Sequence, residues 1–297
     1  MIQGKRILIT GASGLLGSSL CARLAEGNRI YGLRNHHAVN VPGVDEIQID
    51  LTDKDAIAKV FSETKPEFVI HAAGLTNVDQ CETDPQLAEL LNVEVTRSIC
   101  THSTAIGAKL IHISTDHLFD GSVPFATETL PVCPMNQYGL TKAKAEIAVS
   151  ELKSALILRT NFFGPGRPWR TSFSDWILNQ LRADQTVNAF HDVFFSPISI
   201  SYFADLMFAL VEREAAGVFN VVCRERVSKY EFAVKLAIHF GYSQGCIRSV
   251  AMGSVQLKAR RPADMSLSSE KLRRFIGFEA PDLETCLRRL KLEGETT

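Results

Sequence analysis

The sequence has almost no net charge, because 32 lysines and arginines are matched by 33 aspartates and glutamates. Proteins that bind nucleic acid through its phosphates usually have a strong excess of basic residues, so no nucleic-acid partner is expected. The chain also lacks any apolar run close to the roughly 18 residues needed to cross a bilayer, so no membrane association is expected. The first strand begins by Arg6, which leaves no room for a signal peptide, and we therefore expect a cytoplasmic protein.

Cysteine and histidine are present but are not grouped. The seven cysteines have no CxxC spacing, and the eight histidines do not converge at the spacing of metal ligands. Scattered cysteines of this kind are typical of reduced thiols packed inside an intracellular protein, and no metal site is expected. The 45% hydrophobic content of the 297 residues is sufficient for one large domain or two closely packed ones.

A glycine-rich loop follows the first buried strand. The apolar run at residues 6–10 leads into a GxxGxxG motif, after which an apolar-periodic helix continues to about Glu26. Gly11 allows the tight turn, Gly14 lets backbone N–H groups approach a pyrophosphate, and Gly17 permits close packing of the helix on the strand. Because the motif follows a strand and opens a helix, it favours a bound dinucleotide over a merely structural turn.

The second strand, at residues 28–34, ends in Arg34 followed by Asn35. A carboxylate at this position would bind the adenosine ribose and repel a 2′-phosphate, whereas Arg34 and Asn35 can accept that phosphate. We therefore expect NADPH as the cofactor, with NADH as the alternative. Arg34 as a solvated surface charge is the competing interpretation. The third strand is expected at residues 46–50, and the Asp50 carboxylate at its end is placed to contact the adenine amine.

Strands and helices alternate along the first half of the chain, which predicts an α/β fold with a doubly wound parallel sheet of the Rossmann type. The small residues Ala72, Ala73 and Gly74 follow the fourth strand, where a cofactor would lie. The further elements expected in this half are helices at 53–63, 84–107 and 136–151 and strands at 67–71, 109–113 and 156–159.

The regular alternation is lost after a cluster of glycine and proline near residue 165. We expect a dinucleotide-binding domain at residues 1–165, to which later segments return, and a smaller substrate-binding lobe mainly at residues 166–297. The sequence Ser228 to Glu231 fits a capping box at the start of a helix. The elements expected in this part are helices at 172–182, 201–213, 228–240, 267–275 and 283–292 and a strand at 218–222.

Tyr138 and Lys142 stand four residues apart in a helix expected to begin near Asn136, so their side chains share one face. A nearby ammonium favours the phenolate, and Lys142 is therefore expected to lower the pKa of Tyr138. Such a tyrosine can exchange a proton with a carbonyl or alcohol oxygen. The spacing also arises by chance, so the pair needs support from elsewhere in the chain.

Ser114, Thr115 and Asp116 follow the fifth strand, at the edge where open α/β sheets bind ligands. Their hydroxyl groups could hold a substrate carbonyl against Tyr138, or they could only satisfy backbone groups at the strand end. A serine hydrolase is excluded, because Ser114, Asp116 and His117 are nearly consecutive and no GxSxG elbow follows a strand.

Four motifs occur in a characteristic order: TGxxGxxG at 10–17, HAAGLTNVD at 71–79, STDHLFDG at 114–121 and YGLTK at 138–142. With these motifs the chain resembles the extended short-chain dehydrogenase/reductases, and it is most similar to the dTDP-4-dehydrorhamnose reductase family along nearly its whole length. The STDxxFDG run is the most specific of the four, whereas the glycine motif identifies only the superfamily.

The resemblance implies hydride transfer from a nicotinamide to C4 of a nucleotide-linked 4-keto-6-deoxy sugar, in the biosynthesis of dTDP-rhamnose and cell-surface polysaccharide. It makes Tyr138 the proton donor, Lys142 its partner and a ribose ligand, and Thr115 and Asp116 contacts to the substrate. It also allows a homodimer. Together with the residue-level arguments above, it gives the positions expected around the cofactor: Gly11, Ser13, Gly14, Leu15, Leu16, Gly17, Arg34, Asp50, Leu51, Ala72, Ala73, Gly74, Thr76 and Lys142.

Two positions depart from the family pattern. His117 stands where the family usually has tyrosine, and it is expected to be a packing or loop residue. Phe162 stands in a segment that often reads Ser-Trp, whose tryptophan is thought to pack on the sugar. Phe162 is therefore a candidate substrate contact, and it leaves the identity of the sugar open. Arg261, with Lys258 and Arg260, either pairs with the substrate diphosphate or belongs to a solvated basic loop.

Two alternatives remain open. Relatives of the family include a non-catalytic, NADP-binding regulatory subunit of methionine adenosyltransferase, although the joint presence of Thr115, Asp116, Tyr138 and Lys142 favours an enzyme. The second alternative is a sugar-nucleotide epimerase or dehydratase of the same superfamily. A dehydratase is expected to carry an acidic residue directly after its Ser/Thr-Asp pair, where this chain has His117.

Overall fold

The structure is a computed structural model that describes residues 2–295. Its centre is a parallel sheet of seven strands, and smaller sheets of two or three strands lie in the C-terminal part. The strands in chain order are β1 (Arg6–Thr10), β2 (Arg29–Arg34), β3 (Val44–Gln48), β4 (Phe68–His71), β5 (Lys109–Ile113), β6 (Leu156–Arg159), β7 (Phe162–Phe163), β8 (Val187–Phe190), β9 (Phe194–Phe195), β10 (Ile198–Ser199), β11 (Gly217–Asn220), β12 (Val227–Ser228), β13 (Ile247–Val250) and β14 (Asp264–Met265).

Helices cover both faces of the large sheet and form much of the C-terminal part. A π-helical turn, Leu90–Glu94, joins the fourth helix to the fifth. The α-helices are α1 (Leu15–Leu24), α2 (Lys54–Thr64), α3 (Val78–Thr83), α4 (Pro85–Glu89), α5 (Val95–Ala105), α6 (Gln137–Ser150), α7 (Phe173–Arg182), α8 (Ile200–Glu212), α9 (Lys229–Phe240), α10 (Glu270–Ile276) and α11 (Leu283–Glu295).

Side-chain alternation along β1 separates two hydrophobic cores. Ile7 points to the face where Leu20 of α1 and Phe203 of α8 pack, whereas Leu8 points to the opposite face and packs with Phe61 of α2. A strand buried on both faces is why its sequence is almost continuously apolar.

The strand order of the large sheet is β11-β6-β5-β4-β1-β2-β3. β1 pairs with β2 on one side and with β4 on the other, both in parallel, so the order reverses at this point. Ligands of doubly wound sheets bind in the crevice at the carboxyl ends of such strands. The glycine loop after β1 and residues 72–74 after β4 lie at this crevice. The predicted doubly wound sheet is confirmed.

The C-terminal part contributes both to the sheet and to a lobe above its carboxyl edge. β11 pairs in parallel with β6 and so completes the large sheet. Leu178 and Phe195 of the lobe belong to the same hydrophobic cluster as Ile7 of the sheet. The domain boundary near residue 165 stays a prediction. Within residues 2–295, no helix combines the length and the apolar character needed to cross a membrane.

Two helix starts agree with the sequence analysis. The Asn136 side chain caps α6 by accepting a hydrogen bond from the Gly139 N–H at 2.9 Å. Ser228 and Glu231 form the predicted capping box at α9, with hydrogen bonds in both directions. Local capping chemistry was therefore sufficient to locate these two helices.

The helical segment expected at residues 84–107 is confirmed, since α4, a π-helical turn and α5 follow one another without a break from Pro85 to Ala105. Pro85 occupies the first turn of α4, and the Asp84 side chain caps that helix by accepting from the Leu87 N–H. This combination starts a new helix. The π-helical turn then inserts an extra residue before α5. The preceding helix α3 was not expected.

Other boundaries move by a few residues. β3 ends at Gln48, so Asp50 lies beyond the strand. The helix expected at residues 267–275 begins only at Glu270, because Leu267 forms a parallel β-bridge with Ala126.

Candidate active site

A groove along the carboxyl edge of the sheet has two adjoining compartments with cavity volumes of about 420 and 400 Å³. We call them the outer compartment, which extends over β2 and β3, and the inner compartment, which extends over β5 and α6. Gly11, Gly14, Ala72, Ala73 and Gly74 line both, so the glycine loop lies where the two meet. The remaining predicted positions divide as follows: Ser13, Arg34, Asp50 and Leu51 line the outer compartment, and Leu15, Leu16, Gly17, Thr76, Thr115, Asp116, Tyr138, Lys142 and Phe162 line the inner one.

The glycine loop fits a bound pyrophosphate. Gly11 has a φ of +66°, and a methyl group on Gly17 would stand 2.1 Å from the Gly11 carbonyl oxygen, so the turn closes only with glycine. Gly14 is the N-cap of α1 and provides no side-chain cap, and no acidic residue lies in the first turn of α1. The backbone N–H groups of this helix start are therefore available to an anion, and the helix dipole favours one.

Arg34 lies in the wall of the outer compartment but is not free. Its Nε is 3.2 Å from Glu46 Oε2. Burial alone would raise the pKa of Glu46, but hydrogen bonds from the Val39 and Asn40 N–H groups and the Arg34 charge lower it overall. The carboxylate therefore stays charged and offsets part of the positive potential that Arg34 offers to a 2′-phosphate.

Asp50 also faces the outer compartment. Its Oδ1 accepts hydrogen bonds from the Thr52 N–H at 2.9 Å and the Thr52 hydroxyl at 2.8 Å. These bonds lower the pKa of Asp50. The carboxylate is thus fixed in place and charged, as a contact to an adenine amine requires.

Tyr138 is buried in the inner compartment, with a relative exposure of 8%. Burial raises its pKa to about 12, a hydrogen bond from the Thr115 side chain opposes this rise, and the Asp116 charge adds to it. The cation that lowers the pKa is Arg170, and Lys142 is not among the contributing groups. The expected lowering of this pKa by Lys142 is therefore wrong for this structure: burial dominates, and Tyr138 is a protonated phenol.

Lys142 is held against the end of β5 rather than against Tyr138. Its ammonium donates to the Ile113 carbonyl at 2.8 Å and lies 3.1 Å from His112 Nε2. Burial lowers the pKa of Lys142 to about 8, although the Glu146 charge raises it. Because an ammonium only donates, His112 must accept at Nε2 and carry its proton on Nδ1. This contact was not foreseen from the sequence.

A second buried histidine, His71, lies beside His112 in the register of β4 and β5. Its Nδ1 is 2.7 Å from the Thr10 hydroxyl, which already accepts from the Ala73 N–H, and its Nε2 is 3.0 Å from the Thr96 hydroxyl. Burial lowers the pKa of His71 to about 3, with a further contribution from the Lys142 charge. Two neutral histidines therefore lie beneath the inner compartment.

Ser114 is turned toward a buried ion pair. Its hydroxyl donates to Glu146 Oε1 at 2.5 Å, and Glu146 also receives Arg159 Nε at 3.0 Å and Nη2 at 2.7 Å. The side chains of Arg159 and Glu146 are only 4% and 8% exposed. The Ser114 hydroxyl therefore bonds a buried carboxylate, which neither of the two interpretations foresaw, and Thr115 is the hydroxyl that interacts with Tyr138.

The π-helical turn gives Asn92 a role in the site. Asn92 Oδ1 accepts from the Leu75 N–H at 2.7 Å, and its Nδ2 donates to the Leu75 carbonyl at 3.1 Å and to the Thr141 hydroxyl at 3.0 Å. One side chain thus fixes the loop after Gly74 to α6, which carries Tyr138. π-helical turns are frequent at functional sites for this kind of reason.

Asp116 lines the inner compartment, and the charge of the nearby Lys229, which lines neither compartment, interacts with it. Asp116 Oδ2 accepts from Asn161 Nδ2 at 2.5 Å. Burial lowers the pKa of Lys229 to about 8, and the nearby Asp116 charge opposes this. The Lys229 ammonium lies 3.2 Å from the ring centre of Phe195. Neither Asn161 nor Lys229 was predicted, although each adjoins a residue or motif that was.

The inner compartment also contains the two residues that depart from the family pattern. The ring of His117 meets that of Tyr138 edge-on at 5.5 Å, as expected of a packing residue. Phe162 lines the inner compartment, and its ring centroid lies 6.2 Å from that of Phe203. A substrate contact by Phe162 stays a prediction.

Arg261 lies at the margin of the site and does not line either compartment. Its Nη2 forms an ion pair with Asp79 Oδ1 at 3.0 Å, and its Nη1 donates to the Ala259 carbonyl at 3.2 Å. Its guanidinium is therefore already engaged by Asp79, and a substrate contact by Arg261 stays a prediction. No group of His, Cys, Asp and Glu within residues 2–295 is arranged to hold a metal ion.

Comparisons with known proteins agree with this geometry. A family model described as the RmlD substrate binding domain matches residues 5–293. The chain is 30% identical to the probable low-salt glycan biosynthesis reductase Agl14 of Haloferax volcanii, over 95% of this chain and 96% of that protein. It is 28% identical to the methionine adenosyltransferase 2 subunit beta of Pongo abelii, over 94% of this chain and 85% of that protein.

Among solved structures, the chain is similar to the dTDP-4-dehydrorhamnose reductase of Bacillus anthracis in complex with NADP. The TM-score is 0.87 at 27% identity, with 98% of this chain and all (100%) of that chain covered. The predicted family is confirmed by these matches, and the chain belongs to the RmlD substrate binding domain family.

Proposed function

We propose that this protein is an NADPH-dependent reductase of the C4 ketone of a nucleotide-linked 4-keto-6-deoxy sugar, of the dTDP-4-dehydrorhamnose reductase type. The observation that carries the proposal is the position of Tyr138. Its protonated phenol lines the inner compartment together with Thr115 and the glycine loop. A proton donor next to a dinucleotide groove is what carbonyl reduction requires.

The residues of the inner compartment divide the work of the reaction. NADPH, when bound, supplies the hydride. Tyr138 is protonated at neutral pH and gives its proton to the oxygen that becomes an alkoxide. Thr115 places a second hydroxyl at that oxygen, where a positioned donor in a partly dry site stabilises developing negative charge. Lys142 contributes a positive charge, held in place by Ile113 and His112, near the ribose of the cofactor.

The relatives support the reductase class and the cofactor. Two of the proteins reported above are named as reductases, and one of them was solved in complex with NADP. The sequence predictions of an oxidoreductase and of NADP(H) agree with these names. A nucleotide-sugar substrate, cytoplasmic location, a homodimer and a role in cell-surface polysaccharide synthesis are parts of the proposal.

The test is a turnover assay. Purified protein is mixed with NADPH and dTDP-4-dehydrorhamnose, and the loss of absorbance at the nicotinamide band is followed, with NADH and with UDP-linked 4-keto sugars in parallel. We expect NADPH consumption that depends on the keto sugar. Absence of turnover with every 4-keto sugar nucleotide would contradict the proposal.

The similarity to a methionine adenosyltransferase subunit supports one alternative, a regulatory role without catalysis. In this chain Thr115, Asp116, Tyr138 and Lys142 all line one compartment, which favours catalysis. A regulatory subunit would co-purify with a synthetase, bind NADP and show no keto-sugar-dependent NADPH oxidation, so the same assay separates the two. An epimerase, in contrast, would commonly retain its cofactor through purification, which absorbance of the isolated protein would reveal.

A further inference from the structure

A short hairpin in the C-terminal part reaches back across the groove. We call residues 167–170 the clasp. It lies between β7 and α7 and is closed by two backbone hydrogen bonds, from the Arg167 N–H to the Arg170 carbonyl at 2.9 Å and from the Arg170 N–H to the Arg167 carbonyl at 2.8 Å. Pro168 and Trp169 form its corner. Proline limits the conformations of such a turn, so Trp169 is presented in a defined position.

Each end of the clasp contacts the dinucleotide-binding half of the protein. The ring of Trp169 stacks on His37, with centroids 4.6 Å apart and planes inclined by 9°. Arg167 Nη2 donates to the Val39 carbonyl at 3.0 Å. On the other side of the groove, Arg170 Nη2 donates to the Thr76 hydroxyl at 2.5 Å. The clasp thus bridges the groove from the segment after β2 to the loop after β4.

The clasp also forms part of the groove wall. Trp169 lines the outer compartment, and Arg170 lines both compartments, as Gly11 and Gly14 do. Arg170 therefore stands at the junction where the glycine loop receives a pyrophosphate. The positive charge of Arg170 also acts on Tyr138, where it opposes the rise in pKa that burial causes.

We propose that the clasp is a cofactor-binding element, in which Trp169 covers the adenosine of NADP(H) and Arg170 pairs with its phosphates. The charges are complementary, because the clasp brings the Arg170 guanidinium to a groove whose own cation, Arg34, is partly neutralised by Glu46. Arginine suits phosphate through its planar array of donors, and an indole ring suits the flat apolar face of adenine. The contact between Arg170 and Thr76 joins two exposed side chains, so this end of the clasp can open for cofactor exchange.

This inference rests on the NADP(H) site of the proposed function, but not on the identity of the sugar. It can therefore be tested by binding alone. The chain has two tryptophans, Trp169 and Trp176, so a Trp176→Phe variant leaves Trp169 as the only indole reporter. In that variant, we expect NADP⁺ and 2′,5′-ADP to quench or shift the emission of Trp169, and nicotinamide mononucleotide to leave it unchanged.

Three substitutions measure the contribution of the clasp. Arg170→Ala should raise the Kd for NADP⁺ about tenfold, because a charge-assisted phosphate contact is lost. Trp169→Leu should raise it about fivefold and speed NADP⁺ release by a similar factor, whereas Trp169→Phe should restore most of the affinity. Arg213→Ala, which removes an exposed arginine at the end of α8, is the matched control and should leave the Kd unchanged. Kd is measured by calorimetry, release by stopped-flow fluorescence, and folding by circular dichroism.

The measurements distinguish failure of the clasp inference from failure of the proposed function. Unchanged NADP⁺ affinity in both Arg170→Ala and Trp169→Leu, with Trp169 emission insensitive to NADP⁺, overturns the inference. It is also overturned if the substitutions raise only the KM for the nucleotide sugar, because the clasp would then belong to the substrate. Failure of the unsubstituted protein to bind either NADP⁺ or NAD⁺ would instead refute the proposed function, and the clasp with it.

Discussion

The polar groups particular to the inner compartment are buried on or next to regular elements, whereas the charged and aromatic side chains of the outer compartment are more exposed. Tyr138, Lys142 and Thr115 are at least nine-tenths buried and come from α6 and the end of β5. Arg34, His37 and Arg170 are partly or fully exposed and come from strand ends and the clasp. Buried, hydrogen-bonded groups hold one geometry, and exposed ones adapt at little cost. The chemistry is thus fixed at one end of the groove, and cofactor choice is adjustable at the other.

The largest effect should come from the inner compartment. Tyr138→Phe removes the proton donor while keeping the ring, and we expect kcat to fall about 1,000-fold, within the range for general acid catalysis. NADP⁺ binding should stay within about twofold, because the phenol does not carry the cofactor's affinity. Steady-state kinetics and calorimetry measure the two quantities. A variant that retains full kcat would remove Tyr138 from the acid role.

The next effect concerns the buried ion pair beneath Ser114. Arg159→Leu leaves the Glu146 carboxylate buried without its partner, and the free energy of unfolding should fall by about 3 kcal/mol. Arg159→Leu with Glu146→Leu should recover part of that loss, because no uncompensated charge remains. Urea denaturation followed by circular dichroism gives both values. If the single variant is as stable as the parent, this pair does not support the inner compartment.

Lowering the pH should reduce the free energy of unfolding through His71, which is buried beneath the inner compartment. The folded-state pKa of His71 is lowered to about 3, so between pH 6.5 and 3 the unfolded chain binds a proton that the folded chain does not. The contribution of neutral His71 to the free energy of unfolding is complete above pH 6.5. It should have fallen by about 2 kcal/mol at pH 5. His71→Gln should reduce the dependence of unfolding free energy on pH by this amount. His37→Gln, at the exposed end, is the control that leaves the buried histidines in place.

The smallest effect is expected at the outer compartment. Arg34→Ala should lower the preference for NADPH over NADH about fivefold, equivalent to about 1 kcal/mol, because Arg34 is partly exposed and already shares its charge with Glu46. The ratio of kcat/KM values for the two cofactors is the measurement. A loss of several hundredfold would show that Arg34 acts as strongly as a buried group and would break the contrast between the two ends.

Much of the groove could be predicted from local sequence. The glycine loop follows a strand within a few residues, and Tyr138 and Lys142 share a helix whose cap, Asn136, is adjacent. Such features depend on neighbours in the chain, so their spacing is informative. The capping box at Ser228 is readable for the same reason.

The missed features depend on contacts between distant segments. Lys142 turns toward His112 because the register of β5 places that histidine beneath α6, and burial then outweighs the expected effect of Lys142 on Tyr138. The π-helical turn around Asn92 has no local signature that distinguishes it from a continuous helix. Trp169 stood in a segment readable only as a loop, because its role depends on how that loop crosses to His37. The pairing of Arg261 with Asp79 was missed for the same reason, since nothing local reveals it.

The pairing of β11 with β6 has a consequence for synthesis and for engineering. β6 leaves the ribosome well before β11, and at 5–20 residues per second its edge stays open for roughly 3–12 s while about 60 further residues are made. An open strand edge is a template for pairing with other chains. If residues 1–165 were expressed alone, the edge of β6 would remain unpaired. A truncated protein, or a chimera with an exchanged C-terminal lobe, should therefore keep residues 217–220 together with the N-terminal segment.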